Sequence, residues 1–286
     1  MSEKNKVEKS TLYLVATPIG NLADISERAI KILTEVDFIA AEDTRNSLKL
    51  LTALGIKNEL VSYHEHNKKS SGERLVARLL AGESCALITD AGMPAISDPG
   101  EDIVMLCADA GITVSVIPGA CAAVSALSVS GLGTRRFAFE GFLSANKSER
   151  KKQLEKVKND DRTLIFYEAP HKLKSTLQDM ADFFGNDRKI SLCRELTKLN
   201  EEIKRTTLAG AIQFYSANEP RGEYVLVIDG FSGNVIDEGV SKLLSLSPEE
   251  HVKAYEQDGL ARMDAIKKAA KDREMSKSEL YKILNS

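Results

Sequence analysis

LITDAGMPAISDPG, residues 87–100, is an apolar run that breaks abruptly into a loop of small residues, prolines and two aspartates. Ala86, Leu87 and Ile88 are few enough for a buried strand, and Gly92, Pro94, Pro99 and Gly100 forbid helix or ladder just beyond them. In an open parallel α/β sheet, ligands sit in the crevice at the carboxyl ends of the strands. Connections from strand to helix ordinarily run about two to six residues, so the length of this one favours a ligand loop over a plain turn.

The same pattern recurs on either side. Residues 11–16, TLYLVA, read as a strand that breaks at Thr17-Pro18-Ile19-Gly20-Asn21, and Asp24 with Glu27 three residues on reads as the start of a helix. Residues 38–41 form a short apolar strand ending in Glu42-Asp43-Thr44-Arg45, and residues 60–62 a third, leading into Tyr63-His64-Glu65-His66-Asn67. A helix over 73–81, the strand at 85–89, a helix over 101–110, a strand at 113–117 closed by Pro118-Gly119-Ala120 and a helix over 121–129 follow. Alternation at this spacing predicts a parallel sheet covered on both faces.

Gly131-Leu132-Gly133 reads as a hinge. Beyond it come strands at 137–141, 162–167, 189–193 and 224–228, a basic helix over 147–158 and an apolar one over 173–184, so a mixed sheet is expected. Residues 230–239 read as a linker and the tail as short helices, the last with a capping box from Ser276 to Glu279. The expected fold class is therefore α/β. A parallel N-terminal domain (residues 11–130) and a mixed-sheet domain (131–230) flank a cleft, with a small helical extension (240–286) following.

With 286 residues, 43% hydrophobic and 28% charged, the composition is that of a globular protein with room for a real core. No apolar run reaches the roughly 18 residues of a spanning helix, and the polar start MSEKNKVEKS lacks a signal-peptide core, so a cytoplasmic protein without a membrane partner is expected. Cys85, Cys107, Cys121 and Cys193 lack CxxC spacing and read as reduced core residues, and His64 with His66 makes too small a set for a zinc site, so no metal is expected. The formal charge of −3 excludes a polycation. Binding of nucleic acid would need a local patch, either Arg135, Arg136, Lys147, Arg150, Lys151, Lys152, Lys156 and Lys158, or the group from Lys267 to Lys282.

GxGxxG, GxxxxGK[ST] and GxSxG are all absent. The ligand loops are poor in lysine, and loops of Gly, Pro, Ala and Asp let backbone groups approach an adenosine or amino-acid moiety closely. That chemistry fits S-adenosylmethionine better than ATP.

TPIGNLADIS, AAEDTR, DAGMPAISDPG, PGACAA, FYEAPH, RELTK and RGE occur together in this order. Over nearly its whole length the chain thus resembles the bacterial small-subunit ribosomal RNA (cytidine-2′-O)-methyltransferases of the tetrapyrrole-methylase superfamily. The resemblance implies methylation of a cytidine ribose in the decoding region of 16S rRNA, with the 30S subunit as partner, S-adenosylmethionine as cofactor and a homodimer as the assembly. It places the cofactor against Pro18, Gly92, Met93, Ile96, Cys121 and Ala122, with Phe166, Glu168, Leu196, Gly222 and Glu223 closing over it from the second domain. Met93 stands where the family usually has a small hydroxyl residue, so the resemblance carries over backbone contacts at that position but not a side-chain hydrogen bond.

Ribose methylation is an in-line attack by a weakly acidic hydroxyl on a methyl with a neutral thioether leaving group, so positioning supplies much of the barrier reduction and a base need act only late. Polar groups at strand ends are the candidates: Asp43, Arg45, His66 and Lys198 for the catalytic roles, with Glu42 and Asn67 beside them. Arg45 would orient a phosphate or carboxylate and Asp43 or His66 would take the proton; alternatively Asp43 and Arg45 only brace a loop and His66 caps a helix. The rival functions are a tetrapyrrole C-methyltransferase and a non-catalytic RNA-binding assembly factor.

Overall fold

The computed structural model describes residues 6–233, 243–273 and 275–284. The chain divides into two compact units, Met1–Phe231 and Ser232–Ser286.

The first unit opens with β1 (Thr11–Val15), α1 (Glu27–Glu35), β2 (Phe38–Ala41), α2 (Thr44–Ala53), β3 (Leu60–Ser62), α3 (Lys68–Leu80), β4 (Cys85–Ile88), α4 (Gly100–Asp109), β5 (Thr113–Ile117) and α5 (Ala122–Ser130). The strands run in the order β3-β2-β4-β1-β5, every pair parallel. Both faces are covered. Tyr13, Val15, Ile39 and Ile88 pack on one side with Ile32 and Leu33 of α1, while Leu12, Phe38, Ala40 and Leu87 pack on the other with Leu75, Leu79 and Ile103. Alternate residues of a strand point to opposite faces, so strands buried on both sides must be apolar throughout, as FIAA and CALI are.

The unit continues with β6 (Phe137–Phe142), α6 (Lys147–Val157), β7 (Thr163–Glu168), α7 (Pro170–Phe184), β8 (Lys189–Arg194), β9 (Glu202–Thr207), α8 (Leu208–Ala217) and β10 (Tyr224–Ile228). This sheet has the order β6-β7-β10-β8-β9 and is mixed: β6 and β7 are parallel, the other pairs antiparallel. Helices α7 and α8 cover one face through Leu173, Leu177, Leu208 and Ala211. The opposite face is covered by α5, whose small residues Ala123 and Ala126 with Leu127 pack on Ile165, Cys193, Val225 and Val227, joined by Ile19 and Leu196. Helix α5 thus follows the parallel sheet in sequence yet packs on the mixed one, and Gly131, at φ 77, ends it with the left-handed turn a glycine accepts most readily.

Several local expectations are corrected. The N-cap of α1 is Ser26, whose side chain accepts from the Ala29 amide; Asp24 lies instead in a 3-10 turn. Helix α3 begins at Lys68, five residues before the expected Glu73. Strand β9 and helix α8 went unforeseen. Arg150 does not belong to an exposed basic patch: its side chain, 7% exposed, is bonded to Asp179 at 2.6 Å, pinning α6 to α7.

In the second unit, helices Pro248–Gln257, Arg262–Asp272 and Lys277–Leu284 enclose a small core of Val252, Tyr255, Ile266, Ala269 and Leu280. The expected capping box is formed, since Glu279 donates its amide to Ser276 Oγ and accepts from the Ser276 amide. The larger part of the expected linker, residues 234–239, lies outside the described residues. Buried here is His251, whose Nδ1 accepts from Arg273 Nε at 3.1 Å while Nε2 faces Asp272 at 3.5 Å. Burial first, then the Arg273 charge, depress the imidazole below its ordinary range, and Asp272 opposes them. Arg273 also donates to the Leu246 carbonyl, so it serves this core as well as the basic group to which the sequence assigns it.

Candidate active-site cleft

A cavity of about 490 Å3 opens between the two sheets of the first unit, a volume suited to a small organic molecule. The opening loop of the sequence forms one wall. Thr89, Asp90, Ala91, Gly92, Met93, Ile96, Ser97 and Asp98 all line it. The loop is strongly bent: Gly92 has φ 88, Ala95 φ 66 and Ser97 φ 63, left-handed values that are uncommon for residues with a β-carbon. Asp98 holds the bend by accepting from the amides of Ala95, Ile96 and Gly100. At its start the loop is tied to the end of β1, where Thr17 donates its amide to the Gly92 carbonyl at 2.9 Å and Gly92 returns the bond at 3.1 Å.

The opposite wall comes from the mixed sheet and includes Tyr167, Glu168, Cys193, Glu195, Leu196, Lys198 and Glu223. Glu195 and Thr197 adopt φ 50 and 65, a strained turn that directs Lys198 back toward the cleft. Lys198 Nζ lies 2.8 Å from both Glu195 Oε1 and Glu223 Oε2. Burial pulls the ammonium down, but the two carboxylates outweigh it and raise Lys198 above the ordinary lysine range. Lys198 is therefore charged at neutral pH and is a poor base. In return, Lys198 and then the Glu223 amide hold Glu195 below the usual carboxylate range.

Of the residues expected to touch a cofactor, Gly92, Met93, Ile96, Cys121, Ala122, Glu168, Leu196 and Glu223 line this cavity. Three do not. Pro18 is passed over for its neighbour Ile19. Phe166 is buried in the core with Leu164 on the α7 side of β7, and the strand's alternation presents Tyr167 to the cleft in its place. Gly222, at φ 75, makes room for another residue: a β-carbon there would stand 2.5 Å from Glu195 Cγ and Cδ. Glu168 lines the cavity but its oxygens accept from Thr176 Oγ1 and the Ala169 amide, so it braces the start of α7.

Among the expected catalytic residues, only Lys198 lines the cavity. Asp43 caps α2 through the Arg45 amide and accepts from the Arg45 guanidinium, which is 87% exposed. That guanidinium holds the Asp43 carboxyl down to about 2, which makes it a weak base. His66 is exposed and outside the cavity lining, and its turn is held to the end of β3 by Asn67, which accepts from the His64 amide and donates to the Ser62 carbonyl. Glu42, at the end of β2, lines the cavity half-buried, and accepts from Thr89 Oγ1 at 2.9 Å. No cation stands beside it among the described residues. Tyr167, pushed up to about 12 by burial, stays neutral.

The lining carries the carboxylates of Glu42, Asp90, Asp98, Glu168, Glu195 and Glu223 against a single cation, Lys198, among its described residues. Such a donor set repels a polyphosphate and suits a ligand bearing positive charge, while Ile19, Met93, Leu196 and Val225 supply apolar surface. S-adenosylmethionine, with a sulfonium and an ammonium, fits that set.

A family model described as tetrapyrrole (corrin/porphyrin) methylases matches residues 11–212. Ribosomal RNA small subunit methyltransferase I of Halalkalibacterium halodurans is 49% identical over 282 residues, covering 99% of this chain and 97% of its own length. The Bacillus subtilis protein of the same name is 48% identical over 281 residues, 98% of this chain and 96% of its own. Among solved structures, uroporphyrin-III-C-methyltransferase from Thermus thermophilus is similar at a TM-score of 0.52 and 21% identity, covering 77% of this chain and 94% of that one. Diphthine synthase is similar at 0.58 and 15%, covering 77% and 90%. These two share the fold.

Proposed function

The chain belongs to the tetrapyrrole (corrin/porphyrin) methylase family, and from that premise we propose that it methylates the ribose 2′-hydroxyl of a cytidine in small-subunit ribosomal RNA, using S-adenosylmethionine. The observation that carries the RNA substrate is the 49% identity over 99% of the chain to a relative named for small-subunit ribosomal RNA. When bound, the cofactor supplies a methyl group on a sulfonium that departs as a neutral thioether.

The chain's own residues then have three tasks. Gly92, Met93, Cys121, Ala122 and Leu196 hold the cofactor through backbone approach and apolar contact, and Met93 contributes no hydrogen-bonding hydroxyl. Lys198 fixes Glu195 and Glu223 on the far wall. Glu42 takes the proton of the attacking hydroxyl, because the other lining carboxylates are less suitable: Asp98 and Glu168 are consumed by backbone amides and Thr176, Glu195 and Glu223 by Lys198, and Asp90 is exposed and bonded to Asn46. Arg45, exposed in the first turn of α2 and paired with Asp43, remains a phosphate contact in this reading, with Asp43 and His66 outside the proton transfer.

The same reading makes the protein a cytoplasmic homodimer that acts on the decoding region of the 30S subunit, its helical tail over residues 240–286 gripping RNA through Lys267, Lys271 and Lys277. Among the described residues no helix is long and apolar enough to cross a membrane. Val116, 51% exposed on the edge strand β5, supports a second copy. Labelled S-adenosylmethionine offered with 30S subunits, naked 16S rRNA or uroporphyrinogen tests the proposal. Label recovered in one 2′-O-methyl cytidine is the expected result; label in the porphyrin, or none in RNA, sinks it.

A further inference from the structure

Phe142 is a large apolar ring left 55% exposed at the cavity, an uncommon position for a phenylalanine that ends a strand. Its placement is built by the chain. The pairing of β6 with β7 shifts register between Phe139 and Gly141, and Gly141 takes φ 66. The shift puts Phe142 opposite Tyr167, with the ring centroids 5.4 Å apart and edge to face. Phe139 holds the other side of Tyr167 at 4.9 Å. Leu143, buried immediately afterwards, anchors the ring's backbone.

Two surroundings indicate what the free face would meet. Ile96, 44% exposed, lines the same cavity from the cofactor loop. The end of β6 lies against this loop, since a β-carbon on Gly141 would lie 3.0 Å from Ser97 Oγ. Five residues on from Phe142, α6 begins with Lys147, and Lys147, Lys151, Lys152 and Lys156 have no ion pair among the described residues. An exposed aromatic face lining a cleft is the kind of group on which single-stranded nucleic acid stacks a base, and the lysines of α6 follow it in the chain as charges that phosphates can meet.

Resting on the proposed RNA substrate, we infer that Phe142 is the platform on which the base of the target nucleotide stacks when its ribose enters the cleft. Phe142 is thus a positioning residue for the nucleotide, and the carboxylate-rich interior is left to the cofactor. A π-face accepts any base, so the ring fixes position rather than sequence.

The full-length protein is compared with Phe142→Ala and Phe142→Trp. Three quantities are read: the Kd for S-adenosylmethionine by calorimetry, the Kd for a fluorescent single-stranded RNA oligonucleotide containing cytidine, and KM and kcat for methylation of 30S subunits. Stacking predicts that Phe142→Ala weakens the oligonucleotide and raises KM by at least about fivefold, the lower end of a base–aromatic stack. Cofactor affinity and melting temperature stay unchanged, and Phe142→Trp restores both RNA quantities. Unaltered RNA affinity in Phe142→Ala overturns the inference. An equal loss of cofactor affinity assigns the ring to the cofactor, and a change of oligomeric state by sedimentation assigns it to a second copy; either also overturns it. If the wild type binds the oligonucleotide through Phe142 but transfers no methyl to RNA, the stacking stands and the methylation reading falls.

Discussion

Thr89 donates its hydroxyl to Glu42 across 2.9 Å, joining the carboxyl ends of the adjacent strands β4 and β2 at the cleft. The bond occupies one carboxylate oxygen and leaves the other available to a substrate hydroxyl. Glu42→Gln keeps the shape and an acceptor for Thr89 but removes the base. Its kcat should fall by about 10²-fold or more, the usual worth of general-base catalysis, with cofactor affinity unchanged by calorimetry. Full activity would exclude Glu42.

Lys198 is held charged by its two carboxylates, so its task does not require it to lose a proton. Lys198→Arg, which keeps a permanent charge, should retain turnover, whereas a base would be abolished by that change. Lys198→Met should cost roughly 1 kcal/mol of stability, a modest figure because the pairs are partly exposed, and should weaken cofactor binding as Glu195 and Glu223 repel one another. Urea unfolding and calorimetry read the two effects separately.

The Arg150–Asp179 pair behaves differently because both side chains are almost fully enclosed, 7% and 6% exposed. Asp179→Asn strands a guanidinium in a poorly solvated place and should destabilise the protein by about 3–5 kcal/mol, read as a lowered urea midpoint. Lys152→Ala, on the exposed face of the same helix, should leave that midpoint within experimental error.

The helical tail should be sensitive to acid through His251. The folded imidazole is depressed below its ordinary 6.5, so the unfolded tail binds the extra proton first. Its contribution to stability is complete above about pH 6.5 and is lost as pH falls through the depressed folded value. Amide protection factors in the helix Pro248–Gln257, taken relative to intrinsic exchange at each pH, should fall between pH 7 and 5, and His251→Gln should flatten that dependence. Identical profiles in both proteins would count against it.

Strand ends were the legible part of the site because glycine, proline and aspartate cannot continue a helix or a ladder, and their positions punctuate the chain wherever a loop must turn. The loop at 87–100 and the Pro118-Gly119 turn were found that way. What stayed hidden depended on side-chain direction. One residue's slip along β7 exchanges Phe166 for Tyr167, and FYE carries no mark of which faces the core. Glu195 was overlooked because its importance lies in a left-handed turn unusual for glutamate. Strand β9, EIKRTT, is a polar edge strand without the apolar run that reveals a buried one. Arg150 looked like its lysine neighbours, and only the partner on α7, 29 residues away, shows it to be structural.

The reciprocal bonds between Thr17 and Gly92 form an isolated antiparallel bridge just beyond the sheet, tying together loops that a ligand must enter. Ordering a residue's backbone costs about 1–2 kcal/mol, and here that cost is met when the chain folds. A small molecule arriving at the cleft finds two of its walls already assembled. Its interaction free energy goes to telling one guest from another, so the site should discriminate more sharply than loops that have to be gathered around each newcomer.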